Sequence, residues 1–544
     1  MPRDGRQRLR KRGADVVQAH APIIEGIPLA APVPSVTVPQ FVRQSARERP
    51  DKTALVDAAS GRSITYGALD RLIGRFAAGL VAHGFAPRDV LVLFLPNLPE
   101  WPIAALGAMC AGGIVSGANP TISASDLARQ LRDTGARFVV TIPLFLETVR
   151  AAAAELGGHV SVILLGDAPQ TMPFAQLLAC TDPEPQIAPD PDALAALPFS
   201  SGTSGVSKGV MLTHRNLVAN CCQCLQAFAL PQSAVSLAFL PMFHIYGFTV
   251  ILVGGLANGI TLVTMPRFEP EPFLKALQDY RVTNLGLVPP VLHFLANHPL
   301  VATYDLSSLQ KVGCGAAPLG GGLEQKASER LQCDVAQGFG MTESSGVIAV
   351  TYPEKIRRGS SGQLLPGTQA RVVDPITRVD LERGVSGEIW FRGPQAFMGY
   401  LNNPRATAET ITEDGWVRTG DIGYFDGDGY LFITDRLKEL IKVKGFQVAP
   451  AELEALLYTH PLVADAAVIA RPDERAGELP VAYVVSRGQL GAEDLKTWVA
   501  ERVGEYKRLA DVIFCEVIPK SPAGKILRRV LRAQDAQRID ARAV

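Results

Sequence analysis

Short apolar runs that read as fully buried strands recur along this chain with helix-patterned stretches between them, and no other feature restricts its fold as strongly. Val90-Leu-Val-Leu-Phe-Leu, Arg137-Phe-Val-Val-Thr-Ile, Val160-Ser-Val-Ile-Leu-Leu, Ile260-Thr-Leu-Val-Thr and Thr283-Asn-Leu-Gly-Leu-Val are of this kind. A strand that is apolar on both faces has to be covered on both, which is the condition of a parallel sheet between helical layers. Amphipathic stretches at residues 66–84 and 124–134 supply covering helices. Segment 102–118, apolar but rich in Ala and Gly, reads as a buried helix and not as a membrane span. The expectation is an α/β architecture with largely parallel sheets.

The texture changes after about Ser386. Gly387-Glu-Ile-Trp-Phe-Arg-Gly and Gly429-Tyr-Leu-Phe-Ile-Thr-Asp alternate apolar and polar residues, as half-solvated strands do. After Asp435 follows a smaller unit with its own strands (466–470, 481–485, 511–517) and helices (451–459, 491–503). The domain boundary is placed at Asp435-Arg436-Leu437-Lys438, dividing residues 36–435 from 436–544. Residues 1–35, basic and then rich in Pro and Ala, read as a flexible extension.

Lys plus Arg and Asp plus Glu are both 53, so charge gives no reason to expect a nucleic-acid partner. The basic start, 1–13, lacks a following apolar segment and is not a secretory signal; it reads as a tail, with an arginine-rich mitochondrial leader as the alternative, and the final Ala-Arg-Ala-Val is not a peroxisomal address. Of the eight cysteines, Cys221 and Cys224 have a C-x-x-C spacing. They lie in a helix-patterned stretch with no second ligand pair nearby, so they read as buried thiols, and a cysteine-poor chain of this length fits the reducing cytoplasm.

Two lysine-bearing loops carry the chemistry. Ser200-Ser201-Gly202-Thr203-Ser204-Gly205-Val206-Ser207-Lys208-Gly209 offers successive backbone N–H groups, hydroxyls and one mobile positive charge, a combination suited to phosphate. It is not a Walker A loop, because Ser207 precedes Lys208 where Gly is needed and Gly209 follows where Ser or Thr is needed. Far downstream, Gly524-Lys525 places a lysine on a glycine turn, suited to a carboxylate or a phosphoryl oxygen.

Between the two loops come Gln337-Gly338-Phe339-Gly340-Met341-Thr342-Glu343, Thr419-Gly420-Asp421, Asp435-Arg436-Leu437-Lys438-Glu439-Leu440-Ile441-Lys442 and Lys444-Gly445-Phe446-Gln447-Val448-Ala449-Pro450. This ordered set resembles the adenylate-forming superfamily of acyl-CoA ligases, luciferases and peptide-synthetase adenylation domains. Pro241-Met-Phe-His-Ile-Tyr and Gly315-Ala-Ala-Pro-Leu bring it closest to 4-coumarate and cinnamate CoA ligases. The resemblance implies a large, multi-subdomain N-terminal adenylate-forming domain with a β-rich subdomain and a small, mobile α+β C-terminal domain. It implies a carboxylic acid, ATP, Mg²⁺ and coenzyme A as reactants and cofactors, with an acyl-adenylate formed first and a thioester second.

The resemblance also implies roles. Ser200, Ser201, Gly202, Thr203, Ser204 and Lys208 would hold the β- and γ-phosphates; Thr342 would meet the α-phosphate and Glu343 the Mg²⁺, an oxygen donor for a hard cation. Gln337, Gly338 and Phe339 would wall the adenine, with Asp421 and Arg436 at the ribose. Lys525 would bridge the substrate carboxylate and the α-phosphate as charge builds. Lys438 falls at the hinge, Lys442 and Gln447 at the adenylate, and Lys444, Gly445 and Arg267 at coenzyme A. His244 would stand near the substrate carboxylate, or be a core histidine beside Phe243 and Tyr246. The acyl pocket would comprise Ile245, Tyr246, Gly247, Val250, Gly313, Ala316, Gly338, Gly340, Val347 and Ile348. Gly313 and Val250 depart from the plant pattern, making the pocket roomier and less polar. The leading acid is 4-coumarate or a related hydroxycinnamate, with cinnamate or a medium- or long-chain fatty acid as the rival. A non-catalytic nucleotide-binding homologue is the reading from another class, opposed by Glu343, Asp421, Arg436 and Lys525 occurring together. A salt-sensitive tether in residues 1–13 is a further reading.

Overall fold

The computed structural model describes residues 23–200, 207–317, 319–352, 355–444, 446–473, 475–521 and 524–543. Four sheets form among them. One runs in the order Gln363–Leu364, Ala349–Val350, Asp334–Phe339, Lys311–Cys314, Asn284–Leu287, Val235–Ala238, Thr261–Thr264, Thr53–Asp57, Ser63–Thr65. Its six central strands, from Asp334–Phe339 to Thr53–Asp57, pair in parallel. A second sheet of similar size is parallel at Val90–Phe94, Ile114–Gly117, Phe138–Thr141 and Ser161–Leu164. Every residue of Val90–Phe94 and of Phe138–Thr141 is buried, as their unbroken apolar character requires.

Helix Ala124–Thr134 begins where Ser123 accepts a hydrogen bond from Asp126 N–H and ends at Gly135, which adopts φ 65°. A serine acceptor at one end and a left-handed glycine at the other are what helix termini favour. Segment 102–118 is not one helix. Helix Glu100–Cys110 ends near Gly112, φ 75°, and strand Ile114–Gly117 follows. Uniform hydrophobicity concealed the change of period, because both elements are buried.

The third sheet is antiparallel: Ile24–Glu25, Gln369–Val373, Gly387–Arg392, Val417–Phe425, Leu431–Arg436. Strand Gly387–Arg392 was expected to be half-solvated, yet it is covered on both faces. Ile389 and Phe391 join the main core; on the other face Trp390 lies under the guanidinium groups of Arg371 and Arg418, 4.6 and 5.0 Å from the ring centre. Cation–π contact lets charged stems serve as cover. Part of the expected flexible extension is likewise ordered. Ile24 is buried and pairs with Ala370, and Gln226 bonds Pro28 O and Ala30 N–H. Edge pairing and a side-chain amide satisfy a backbone that composition alone assigns to solvent. Residues 1–22 lie outside the described residues.

The fourth sheet belongs to the small C-terminal domain: Phe446–Val448, Ile441–Val443, Gly477–Ser486, Val463–Asp473, with Asp511–Phe514 parallel to Gly477–Ser486. A last helix, Arg528–Ala543, has no counterpart in the sequence reading. It is held by polar contacts more than by an apolar stripe: Arg528 bonds Glu454 and Glu439, and Asp535 bonds Arg471. No described helix is long and apolar enough to cross a membrane.

Candidate active site

A cavity of about 910 Å³ opens at the C-terminal ends of the parallel strands, where open α/β sheets place their ligands. Gly117, Gly315 and Phe339 reach it from strand ends of both large sheets, and Lys438, Ser521 and Lys525 reach it from the chain beyond Arg436. Lys525 enters because its turn fits against the large domain. Gly524 adopts φ 77°, and a β-carbon there would stand 3.2 Å from the Val288 side chain. Lys525 O accepts from Ser521 N–H at 2.8 Å, closing the turn.

Lys525 shares the cavity with Arg436 and Glu343. Enclosure pushes its ammonium down to about 8, Arg436 pushes the same way, and Asp421, Glu343 and Glu439 oppose them. Arg436 Nε lies 3.2 Å from Asp421 Oδ1, the two residues facing each other across adjacent strands. Burial raises the Asp421 carboxyl while Arg436 draws it back. Arg436 lines the cavity and Asp421 sits behind it.

Glu343, on the short helical turn Thr342–Ser344, is buried. It accepts a hydrogen bond from Tyr400 Oη at 2.8 Å and from Ser200 Oγ at 3.4 Å. Lys208 Nζ stands 4.8 Å from the centre of the Tyr400 ring. Tyr400, which the sequence reading missed, thus touches both Lys208 and Glu343. Its signal was an aromatic in Met398-Gly-Tyr-Leu, indistinguishable from core without the strand pair that Met211 and Gly399 make. The donors around Glu343 are all oxygen and suit a hard cation. No group of three or more His, Cys, Asp or Glu placed to hold a metal ion occurs among the described residues; Glu343 would fit Mg²⁺ as a single carboxylate that shares the ion with substrate phosphates.

His244 lines the cavity and its Nδ1 accepts from Tyr246 N–H at 3.3 Å, which leaves the ring proton on Nε2. Burial, and then Lys525, hold the imidazolium down to about 3, so the ring is neutral near pH 7. Of the expected acyl-pocket residues, Ile245, Tyr246, Val250, Gly313, Ala316, Gly338, Gly340 and Val347 line the cavity. Gly247 and Ile348 do not. A β-carbon on Gly247 would fall 2.2 Å from Pro241 O, so glycine is required for close packing there. Ile348 is fully buried, its N–H bonded to Phe339 O. Gln337 reaches the cavity, but its side-chain amide bonds Leu319 O and Glu324, so only its backbone is free to serve the expected adenine wall.

Lys442, Lys444 and Gln447 are exposed and outside the cavity. Arg267 is also outside it, 81 % exposed and paired with Glu269. Ser201, Gly202, Thr203, Ser204 and Gly445 lie outside the described residues. Cys221 and Cys224 are buried and burial raises both thiols, as inert cysteines require.

The AMP-binding enzyme family matches residues 42–401, and the AMP-binding enzyme C-terminal domain matches residues 452–525. The chain belongs to this family. It is 42% identical over 500 residues to 4-coumarate–CoA ligase 2 of Petroselinum crispum, covering 89% of this chain and 92% of that one. It is 43% identical over 535 residues to 4-coumarate–CoA ligase-like 9 of Oryza sativa subsp. japonica, covering 94% and 95%. Among solved structures, ATP-bound MatB from Rhodopseudomonas palustris superposes with a TM-score of 0.84 at 28% identity, covering 91% and 98%. The protein is an AMP-forming acid–thiol ligase with the adenylate-forming fold, a large N-terminal domain and a small C-terminal one.

Proposed function

We propose that the protein joins a carboxylic acid to coenzyme A at the expense of ATP, through an acyl-adenylate, with 4-coumarate and related hydroxycinnamates or cinnamate as the acids. The observation that carries the reading is Lys525 standing inside the large domain's cavity beside Glu343 and Arg436. The acid carboxylate attacks the α-phosphate and pyrophosphate leaves; the coenzyme A thiol then attacks the acyl carbon and AMP leaves. Lys525 neutralises charge between carboxylate and α-phosphate, and neutral His244 donates Nε2–H toward the carboxylate. Thr342 meets the α-phosphate; Lys208 and the Ser200–Ser204 stretch meet the β- and γ-phosphates. Glu343 would hold Mg²⁺, which would supply charge neutralisation on the phosphates. Arg436, oriented by Asp421, serves the ribose, and Gly338 and Phe339 the adenine.

The small domain hinges at Lys438, with the boundary at Asp435-Arg436. Its movement would bring Lys442, Lys444, Gly445 and Gln447 to the cavity for the second step, with Arg267 at a coenzyme A phosphate. The eight free cysteines favour a cytoplasmic setting. The acid assignment is supported by the names of the relatives and by the apolar run Ile245, Tyr246, Val250 and Val347 along the cavity. The experiment is turnover of a panel of aryl and alkyl acids by purified protein with Mg-ATP and coenzyme A. AMP and an acyl-CoA are expected, and no AMP from any acid overturns the reading.

A further inference from the structure

The cavity does not stop where a cinnamate ring would end. On the sheet face that carries Gly315 and Gly338, strand register places Gly286, Gly313 and Ala336 side by side in one row. Two residues deeper, Ser236, Asn284, Lys311 and Asp334 form the next row. All seven line the same cavity. The floor of the channel is therefore side-chain-free or small, and its far end is a line of polar groups.

The roof matches. Tyr246–Val253 is a π-helical segment, a form often found at functional sites, and Tyr246, Val250 and Ile251 project from it. Tyr246 Oη bonds Gly313 O at 3.3 Å and would stand 3.1 Å from a β-carbon on Gly286. The ring thus rests against the floor where Gly286 carries no side chain, and its hydroxyl is occupied by Gly313 O. At the far end Lys311 Nζ donates to Phe228 O at 3.1 Å, at the last turn of helix His214–Phe228. Half-buried Leu230 and exposed Asp334 form the rim there, so the channel reaches solvent at the N-terminal ends of the strands.

The lengths separate two kinds of acid. From Gly315 to Lys311 the strand rises about 13 Å. A cinnamoyl group spans roughly 7 Å from carboxyl carbon to the para position, leaving the polar row unreached. An extended chain of roughly ten to twelve carbons covers the distance. Lys311 keeps two ammonium protons free of Phe228, and Ser236 and Asn284 add hydrogen-bonding groups beside it. Asp334 in the same row opposes a second carboxylate.

We propose that the channel beyond Gly313 is a distal subsite for acids with a long apolar body and a neutral oxygen, hydroxyl or keto, at the far end. This rests on the acid–coenzyme A ligase reading above and extends its substrate class beyond the hydroxycinnamates. The test compares ω-hydroxydodecanoate, dodecanoate and 4-coumarate by kcat/KM in the wild type, Gly313→Leu and Lys311→Met. Wild type is expected to favour ω-hydroxydodecanoate over dodecanoate by roughly tenfold, the usual order for a satisfied polar group. Gly313→Leu is expected to lower the ratio of either long acid to 4-coumarate at least tenfold. Gly313→Ala, whose methyl would meet only Tyr246 Oη at 3.8 Å, should shift it the same way to a smaller degree and serves if the leucine variant does not fold. Lys311→Met is expected to abolish the preference for the hydroxyl while dodecanoate remains a substrate. Turnover of 4-coumarate without either long acid, or a ratio unmoved by both Gly313 substitutions, overturns the distal subsite and leaves the ligase reading standing. A hydroxyl preference that is absent, or that survives Lys311→Met, overturns the polar end. No AMP from any of the three acids counts against the ligase reading itself.

Discussion

Lys525 and Lys444 belong to the same small domain and stand in opposite surroundings. Lys525 is enclosed in the cavity among Arg436, Asp421 and Glu343. Lys444 is exposed at the turn joining Ile441–Val443 to Phe446–Val448, in a left-handed conformation at φ 49° and tied by its N–H to Ala476 O. One position of the domain presents one of the two lysines. The arrangement with Lys525 inward has the charges that adenylation needs and none of the exposed set that we assign to thioester formation. On the function we propose, the domain exchanges its faces between the two steps, a gating motion.

The sharpest way to break this contrast is to remove each lysine and assay the half-reactions separately. Lys525→Ala is expected to lower acyl-adenylate formation by about 10²–10³, as loss of a preorganised charge partner does, and to spare thioester formation from supplied acyl-adenylate. Lys444→Ala is expected to show the reverse, a smaller loss of roughly tenfold confined to the thioester step. Equal loss of both half-reactions in either variant would mean that the two lysines do not serve separate positions of the domain.

How far the sequence reveals each side of this contrast depends on whether its chemistry is local. Gly524-Lys525 and Asp435-Arg436 are legible because a turn or a strand end places them whatever surrounds it. Helix Ala124–Thr134 is legible for the same reason, with Ser123 and Gly135 marking its ends. Gly247 and Ile348 were misplaced because neighbours of pocket residues point elsewhere, one into Pro241 and one into the core. The polar row Ser236, Asn284, Lys311, Asp334 could not be seen at all. Its members come from four strands, and parallel register is fixed by packing across the sheet, not by any one segment. The helix Arg528–Ala543 escaped because ion pairs, not apolar periodicity, hold it.

A pH profile sharpens the description of Lys525. Its pKa in the folded protein, about 8, lies below the 10.5 of a free lysine, so the unfolded chain binds the proton more tightly. The cost of burying the charge is present below about pH 8 and is relieved between 8 and 10.5, where stability contributed by this group rises with pH. The chemistry has the opposite sign, since only the ammonium neutralises the carboxylate and phosphate. For adenylation, kcat/KM is therefore expected to fall above about pH 8, approaching tenfold per unit, whereas the limb in kcat lies higher because bound phosphates favour the charged form. Lys525→Arg is expected to move the alkaline limb out of range. A limb near pH 8 that persists in that variant would assign the titration to another group.

The smallest effect tests whether the inward position is built for the metal as well as for the lysine. Tyr400 Oη donates to Glu343 Oε1, and its ring faces Lys208, so one side chain touches both groups that we assign to the phosphates and their metal. Tyr400→Phe keeps the ring and removes the donor. With Ser200 still able to reach Glu343, the loss is that of one hydrogen bond, about 1 kcal/mol or roughly fivefold. It should appear as a fivefold higher Mg²⁺ concentration for half-maximal adenylation, with the KM for the acid unchanged and thioester formation from supplied acyl-adenylate intact. A merely structural role would raise the acid KM and lower both half-reactions without altering the Mg²⁺ response, and that outcome would remove Tyr400 from the adenylation face.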